Sequence, residues 1–263
     1  MQLLKLHFHV KKNNKSNFMN NVRLGINIDH IATLRNARGG IHPDILRSLE
    51  IVEMAGADGI TAHLREDRRH IKDEDIYLIK EHTSLPLNME MAATKEMLDI
   101  AIDVKPNACC LVPEKRQEIT TEGGLDVLSN IDYLTNFCAK LKQNDIKVSL
   151  FIDPVEKQIF AAKKVGADIV ELHTGTYCNS YGKEREIRLT NIIKAAKTLE
   201  EMELECHAGH GLCYNTVSNI ARIPNMVELN IGHFLISESL FIGLEASISR
   251  MKNLIILARK EVI

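Results

Sequence analysis

Histidines and carboxylates recur in this chain at one kind of place, the closing residues of short apolar runs. Asn27-Ile-Asp29-His30 ends the first run, His63-Leu-Arg65 ends the second, Glu90 sits in the third, and Asp153 closes the fifth. Glu171, His173, Thr174 and Gly175 mark the sixth. His207-Ala-Gly-His210-Gly211 follows in the seventh, and Asn230 with Gly232-His233 in the eighth. Imidazoles and carboxyls are suited to moving protons near neutral pH, because partial burial brings their pKa values toward that range. A charge inside an apolar strand is costly unless paired, so this many on one side argue for a solvated site working by general acid–base catalysis. No strand ends in lysine, which argues against an enzyme-bound Schiff base. Neither a P-loop nor a serine nucleophile elbow is present. The His7/His9 pair precedes the first run, where a barrel metallohydrolase has no use for it. Zinc ligation by the other histidines stays open as an alternative.

Two late glycine turns, Ala208-Gly-His-Gly211 and Ile231-Gly-His233, have the composition of anion seats. Glycine lets backbone N–H groups approach an anion, and a following helix N-terminus adds its positive end. The run Arg65-Glu-Asp-Arg68-Arg69-His70 reads either as a solvated charged loop or as a clamp on a second phosphate. Two seats at one mouth point to two phosphorylated substrates or one bisphosphate. The polar loop from Pro113 to Leu125, ending in paired glycines, reads as a mobile lid. Asp153 reads equally as a helix N-cap, and His173 as a core histidine bonded to a backbone carbonyl.

Such residues meet only if the elements beneath them share one direction. Strands are expected at Leu24–Ile28, Gly59–His63, Leu87–Met91, Ala108–Val112, Val148–Ile152, Ile169–Leu172, Leu204–Ala208 and Met226–Ile231. Helical periodicity fills the gaps, with Ile45, Leu49, Val52 and Met54 on one face and Ile159, Ala162 and Val165 on another. Ile192, Ile193, Ala196 and Leu199 make a third face. A last helix from about Ser239 is expected to bury Ile242, Leu244, Ile248, Met251 and Leu254. A weak repeat supports the pattern: Gly-Ala-Asp at 56–58 and again at 166–168 closes a helix and leads into a strand ending in His63 or His173. About eight strand–helix units in this length give an α/β chain of the (β/α)8 TIM-barrel class, with an open doubly wound sheet as runner-up. No G-x-G-x-x-G follows the first strand, against the dinucleotide-binding form of that sheet.

The 263 residues are 45% hydrophobic and 26% charged, enough for a sizeable core. Net charge of −2 and a pI near 6.6 give no footing for nucleic-acid or membrane-surface binding. No apolar run approaches the ~20 residues that span a bilayer. The six cysteines form no Cys-x-x-Cys pair and read as buried reduced thiols of a cytoplasmic protein. Residues 1–22 read as a flexible extension, with Met19 a possible alternative start, and residues 23–263 as one barrel domain with extra helices.

These residues carry a family resemblance. Asn27-Ile-Asp-His-Ile-Ala-Thr-Leu-Arg-Asn-Ala-Arg38, Gly56-Ala-Asp-Gly-Ile-Thr, His63-Leu-Arg-Glu-Asp-Arg-Arg-His70, Asn88-Met-Glu-Met91 and Leu111-Val-Pro-Glu-Lys-Arg-Gln-Glu118 belong to it. So do Thr120-Thr-Glu-Gly-Gly-Leu-Asp126, Val148-Ser-Leu-Phe-Ile-Asp153, Glu171-Leu-His-Thr-Gly175, Ala208-Gly-His-Gly-Leu212 and Glu228-Leu-Asn-Ile-Gly-His233. From Arg23 to its end the chain resembles the pyridoxine 5′-phosphate synthases of vitamin B6 synthesis; only the N-terminal extension departs. The resemblance implies a cytoplasmic homo-octamer, without metal or organic cofactor. It would join 3-amino-2-oxopropyl phosphate to 1-deoxy-D-xylulose 5-phosphate, releasing water and phosphate. By motif it implies His63 and Glu90 as proton acceptors, His210 as proton donor and Glu171 as transition-state stabiliser. Asn27, Arg38, Gly211, Gly232 and His233 resemble the site for the amino ketone. Asp29, His30, Arg65, His70 and Thr120 resemble the site for the deoxyxylulose phosphate.

Overall fold

The computed structural model describes residues 21–114 and 123–262. Eight parallel strands pair in chain order: β1 Arg23–Asn27, β2 Gly59–His63, β3 Leu87–Met91, β4 Ala108–Leu111, β5 Lys147–Ile152, β6 Ile169–His173, β7 Glu205–Gly209 and β8 Met226–Ile231. β8 then pairs with β1, Arg23 opposite Glu228 through Ile26 opposite Ile231, and the barrel closes. Helices α1 Asp29–Arg38 and α2 Ile45–Met54 connect β1 to β2. α3 Asp73–His82, α4 Lys95–Val104, α5 Ile131–Lys142 and α6 Glu156–Lys164 make the next four crossovers. α7 Gly175–Asn179 and α8 Gly182–Glu201 follow β6, α9 Val217–Ala221 follows β7, and α10 His233–Ile242 and α11 Leu244–Lys260 follow β8. The sequence places every strand boundary within one residue.

The repeated Gly-Ala-Asp turns do what their composition requires. Gly56 and Gly166 take φ of +82° and +85°, just past α2 and α6, a conformation in which a Cβ is strained. The following Asp58 and Asp168 carboxylates accept the amide N–H groups of Leu24 and Val148 on the neighbouring strand, at 2.7 and 3.0 Å.

Three helix expectations change. Met54 and Ile193 face outward, and the last helix is two. Gly243, with φ of +86°, separates α10 from α11 and leaves Ile242 exposed and Leu244 and Leu254 only half-buried, while Ile248, Met251 and Ile255 pack inward. Val22 is buried, so the barrel begins a residue before the expected boundary. The rest of the extension expectation, residues 1–20, lies outside the described residues.

Alternate residues of each strand divide the barrel into two chemistries. Ile26, Ala62, Met89, Met91, Leu150, Leu172 and Leu229 point outward into one continuous apolar core beneath the helices. Their neighbours Thr61, His63, Glu90, Ser149, Glu171, His207 and Asn230 point inward, and among the described residues Cys110, Val112 and Phe151 form a small separate apolar cluster. Barrels of this class are commonly filled by branched aliphatic side chains; this one is lined by polar groups, and its stability resides in the outer annulus.

Candidate active site

Parallel strands deliver their C-terminal ends to one mouth, and Asp29 is the joint there between strands. It opens α1, and its Oδ1 accepts the backbone N–H of His63 at 2.8 Å while Oδ2 accepts from Asn27 Nδ2 at 2.8 Å. His63, from β2, places Nε2 2.8 Å from Glu114 Oε1 and Nδ1 3.7 Å from Glu90 Oε2. The His70 ring lies 5.8 Å from that of His63, with its Nδ1 accepting the Ile71 N–H at 2.9 Å and so carrying its proton on Nε2 when neutral. Burial lowers the pKa of His70, against the pull of Asp29. Removal from water, reinforced by the charges of Asp29, Glu171 and Glu114, pushes Glu90 well above the usual carboxylate range.

Deeper in the barrel, Glu171 is 2% exposed and accepts from Asn230 Nδ2 at 2.7 Å, while Asn230 Oδ1 accepts from Thr61 at 3.0 Å. Burial pushes Glu171 up to about 7, with the nearby His207 and the Asn230 hydrogen bond opposing. Gly209 stands against this carboxylate, where any Cβ would collide with Oε1.

On the other side of the mouth Asp153 Oδ1 meets His173 Nδ1 at 2.9 Å. The His173 ring packs edge-on against His210, centroids 5.2 Å apart, and both lie beside Phe151. Burial, aided by the neighbouring His173, His233 and His30, takes His210 down to about 4, so its imidazole is neutral at pH 7. His210 also holds a left-handed backbone, φ +76°, unusual for a side-chain-bearing residue. Its carbonyl and that of Gly209 both accept from Thr174 Oγ1 at 2.7 Å, which fixes the turn. Gly211 follows at φ +79°, against Cys178.

His30 and His233 close the ring of residues, their centroids 4.9 Å apart and edge-to-face. Burial lowers His30, and its Nδ1 is buried with no hydrogen-bond partner among the described residues. Gly232 precedes α10 without a side-chain cap, and a Cβ there would come 2.8 Å from Asn27. Arg65 is 5% exposed, and its buried Nε has no hydrogen-bond partner either, the nearest carboxylate being Asp67 at 3.6 Å. A buried cationic donor with an open valence is placed to receive an anion.

The structure thus brings together Asn27, Asp29, His30, His63, Arg65, His70, Glu90, Glu171, His210, Gly211, Gly232 and His233. Arg38 stands apart, exposed at the far end of α1, about 14 Å along the axis from Asp29. Thr120 and most of the lid expectation lie outside the described residues. Of the proposed arginine clamp, Arg68 is held by Asp73 and Glu96 and Arg69 by Asp67, which favours the charged-loop reading for both. His207 does not reach the mouth; its register sets it lower, between Glu205 and Glu228 beside Arg23. Asp153 is no helix cap, since α6 begins after Val155, and His173 bonds a carboxylate rather than a carbonyl. Sequence reasoning missed Glu114, whose only signal was an acid one residue past a strand-end proline.

The profile of the family described as Pyridoxal phosphate biosynthesis protein PdxJ matches residues 24–256. A relative from Zymomonas mobilis named Pyridoxine 5′-phosphate synthase is 58% identical over 240 residues, covering 91% of this chain and 94% of its own. One of the same name from Rhodospirillum rubrum is 56% identical over 232 residues, 88% of this chain and 93% of its own. Among solved structures, phosphoribosyl anthranilate isomerase from Thermus thermophilus superposes with a TM-score of 0.58 at 12% identity, covering 89% of this chain and 98% of that one, a likeness of fold alone. With the profile matched from β1 into α11 and relatives more than half identical over most of the chain, the chain belongs to the PdxJ family of pyridoxal phosphate biosynthesis proteins.

Proposed function

We propose that the mouth joins 3-amino-2-oxopropyl phosphate to 1-deoxy-D-xylulose 5-phosphate to make pyridoxine 5′-phosphate, water and phosphate, as a pyridoxine 5′-phosphate synthase. The observation that carries the reading is the convergence of proton-handling groups with two anion seats. One seat is the buried guanidinium of Arg65, whose Nε makes no hydrogen bond among the described residues and has only Asp67 at 3.6 Å, beside His70. The other is the uncapped N-terminus of α10 at Gly232-His233, flanked by Asn27. Two phosphates held in register make the condensation of amine and ketone effectively intramolecular. The imine forms between the substrates, so no enzyme lysine is needed.

His63 then takes protons during dehydration and ring closure, and Glu90 takes them once it has passed on the proton that burial favours on it. Glu171 lies beneath the mouth as the stabiliser of developing charge. His210 is the donor; neutral in the empty site, it gains proton affinity when a phosphate dianion arrives. In this reading Thr120 adds a substrate contact, and Arg38 adds one only by reaching in from the exposed end of α1. The exposed Leu240 and Phe241 on α10 offer an apolar surface for self-association, for which the family resemblance implies a homo-octamer in the cytoplasm; among the described residues no helix is long and apolar enough to cross a membrane. Incubating purified protein with both substrates and EDTA tests the activity: pyridoxine 5′-phosphate and stoichiometric phosphate are expected, and their absence overturns it. A mass measurement in solution tests the octamer.

One observation favours a zinc reading. Ligand atoms of Asp29, His63 and His70 lie within 4.8 Å of one another. Against it, Asp29 Oδ1 already accepts the His63 N–H and His70 Nδ1 the Ile71 N–H. Loss of turnover in EDTA, restored by zinc, would favour it.

A further inference from the structure

We infer that Glu114 is a positioning residue for His63, fixing the proton on Nε2 so that Nδ1 is the nitrogen that works as base. The inference rests on the synthase reading for the role of His63, but its structural half does not. Glu114 lies just beyond β4, with a side chain only 4% exposed. Its two oxygens are divided between two donors: Oε1 sits 2.8 Å from His63 Nε2, and Oε2 accepts the Glu66 N–H at 3.1 Å. The carboxylate is therefore anchored independently of the imidazole, as a group that orients another must be.

Burial alone would raise the Glu114 carboxyl; the hydrogen bond from His63, with the Glu66 N–H and the charge of Arg65, holds it below its ordinary value instead. An ionised carboxylate only accepts, so the His63 nitrogen facing it must donate. That leaves the Nδ1 lone pair, which points toward Glu90 at 3.7 Å, too far for a direct hydrogen bond. The imidazole is thus bracketed by two acids in opposite condition: Glu114 ionised, and Glu90, across the ring, pushed toward its protonated form. A carboxylate holding one ring nitrogen sets which nitrogen carries the proton and steadies the imidazolium once it forms. Other charged groups facing His63 are Asp29 at its backbone N–H and, from the loop after β2, His70 and Arg65. Among these Glu114 alone reaches a ring nitrogen within hydrogen-bond distance.

The test is Glu114→Gln, whose amide keeps the shape and can donate to Nε2. Expected are a kcat at least about tenfold lower and KM for each substrate within about threefold of wild type. Nitrogen-15 spectra of the resting protein, with His63 assigned by its loss in His63→Asn, should show the ring proton on Nε2 in wild type and not in the variant. Glu114→Asp, which keeps the charge, should stand between the two in rate. A kcat within about twofold of wild type, an unchanged His63 spectrum, or an Asp variant slower than the Gln variant overturns the inference. Failure of wild-type protein to make pyridoxine 5′-phosphate would sink the synthase reading while leaving the resting spectrum to decide the tautomer.

Discussion

Asp153 and His173 are joined by a hydrogen bond of 2.9 Å between the end of β5 and the end of β6, and the bonded imidazole is the wall against which His210 rests. The hydrogen bond from His173 holds Asp153 below its usual range, although the carboxylate is nearly half exposed. Because His173 itself is buried, Asp153→Ala leaves a ring nitrogen without a partner. A loss of about 1–3 kcal/mol in stability is expected, with turnover falling more than affinity. Denaturant unfolding and steady-state kinetics on one preparation check both.

Glu90→Gln should fold, bind inorganic phosphate as wild type does, and lose turnover by at least about 10². The amide matches the shape of the protonated carboxyl that burial favours, so the fold has no reason to object. Near-normal turnover would remove Glu90 from the chemistry.

Gly232→Ala probes the seat at α10. Its Cβ would come 2.8 Å from Asn27, which must move and disturb its hydrogen bond to Asp29. The φ of −125° there is not the left-handed conformation that demands glycine, and a melting curve checks that folding persists. A rise of about tenfold in KM for one phosphate substrate, with a smaller change for the other, is expected.

Phosphate binding should draw protons from solution. His30, His70 and His210 are all held below their ordinary values in the empty mouth, and a dianion beside them favours their charged forms. Calorimetry at pH 6–7 in buffers of different ionisation enthalpy should report net uptake on binding inorganic phosphate. Zero uptake would mean that the anion sits elsewhere.

Glu171 sets a pH dependence of stability. Its folded value of about 7 lies above the ordinary 4.5, so the native state holds the proton more tightly than the unfolded chain. Its contribution is complete below pH 4.5 and is lost as pH rises through 7. Glu171→Gln, which still accepts from Asn230, removes that loss. Relative to wild type, its melting temperature should rise by roughly 5 °C between pH 4.5 and 8.

Strand positions were legible because buried parallel strands leave compact apolar runs bounded by glycine and aspartate turns. Helix faces were less so: Met54 and Ile193 fit the period yet point outward, since an apolar side chain need not be inside. The break at Gly243 was hidden because residues on both sides of it are apolar. Residue type and strand end sufficed to place His63 and Glu90 at the mouth and Glu171 beneath it. They failed for His207, where a register shift at Cys206/His207 decides which depth the ring occupies. Glu114 escaped notice because a buried carboxylate in a polar loop is written in sequence like any solvated one; only its partners distinguish it.

The alternation along each strand has a consequence for how such a catalyst can change. Met89 and Met91 pack into the outer annulus while Glu90, between them, faces the barrel interior. Folding strength and reactivity are therefore entered on different digits of the same number. A new side chain at an inward position alters what the pocket does and leaves the annulus untouched, whereas a change one residue along weakens the vessel without altering its contents.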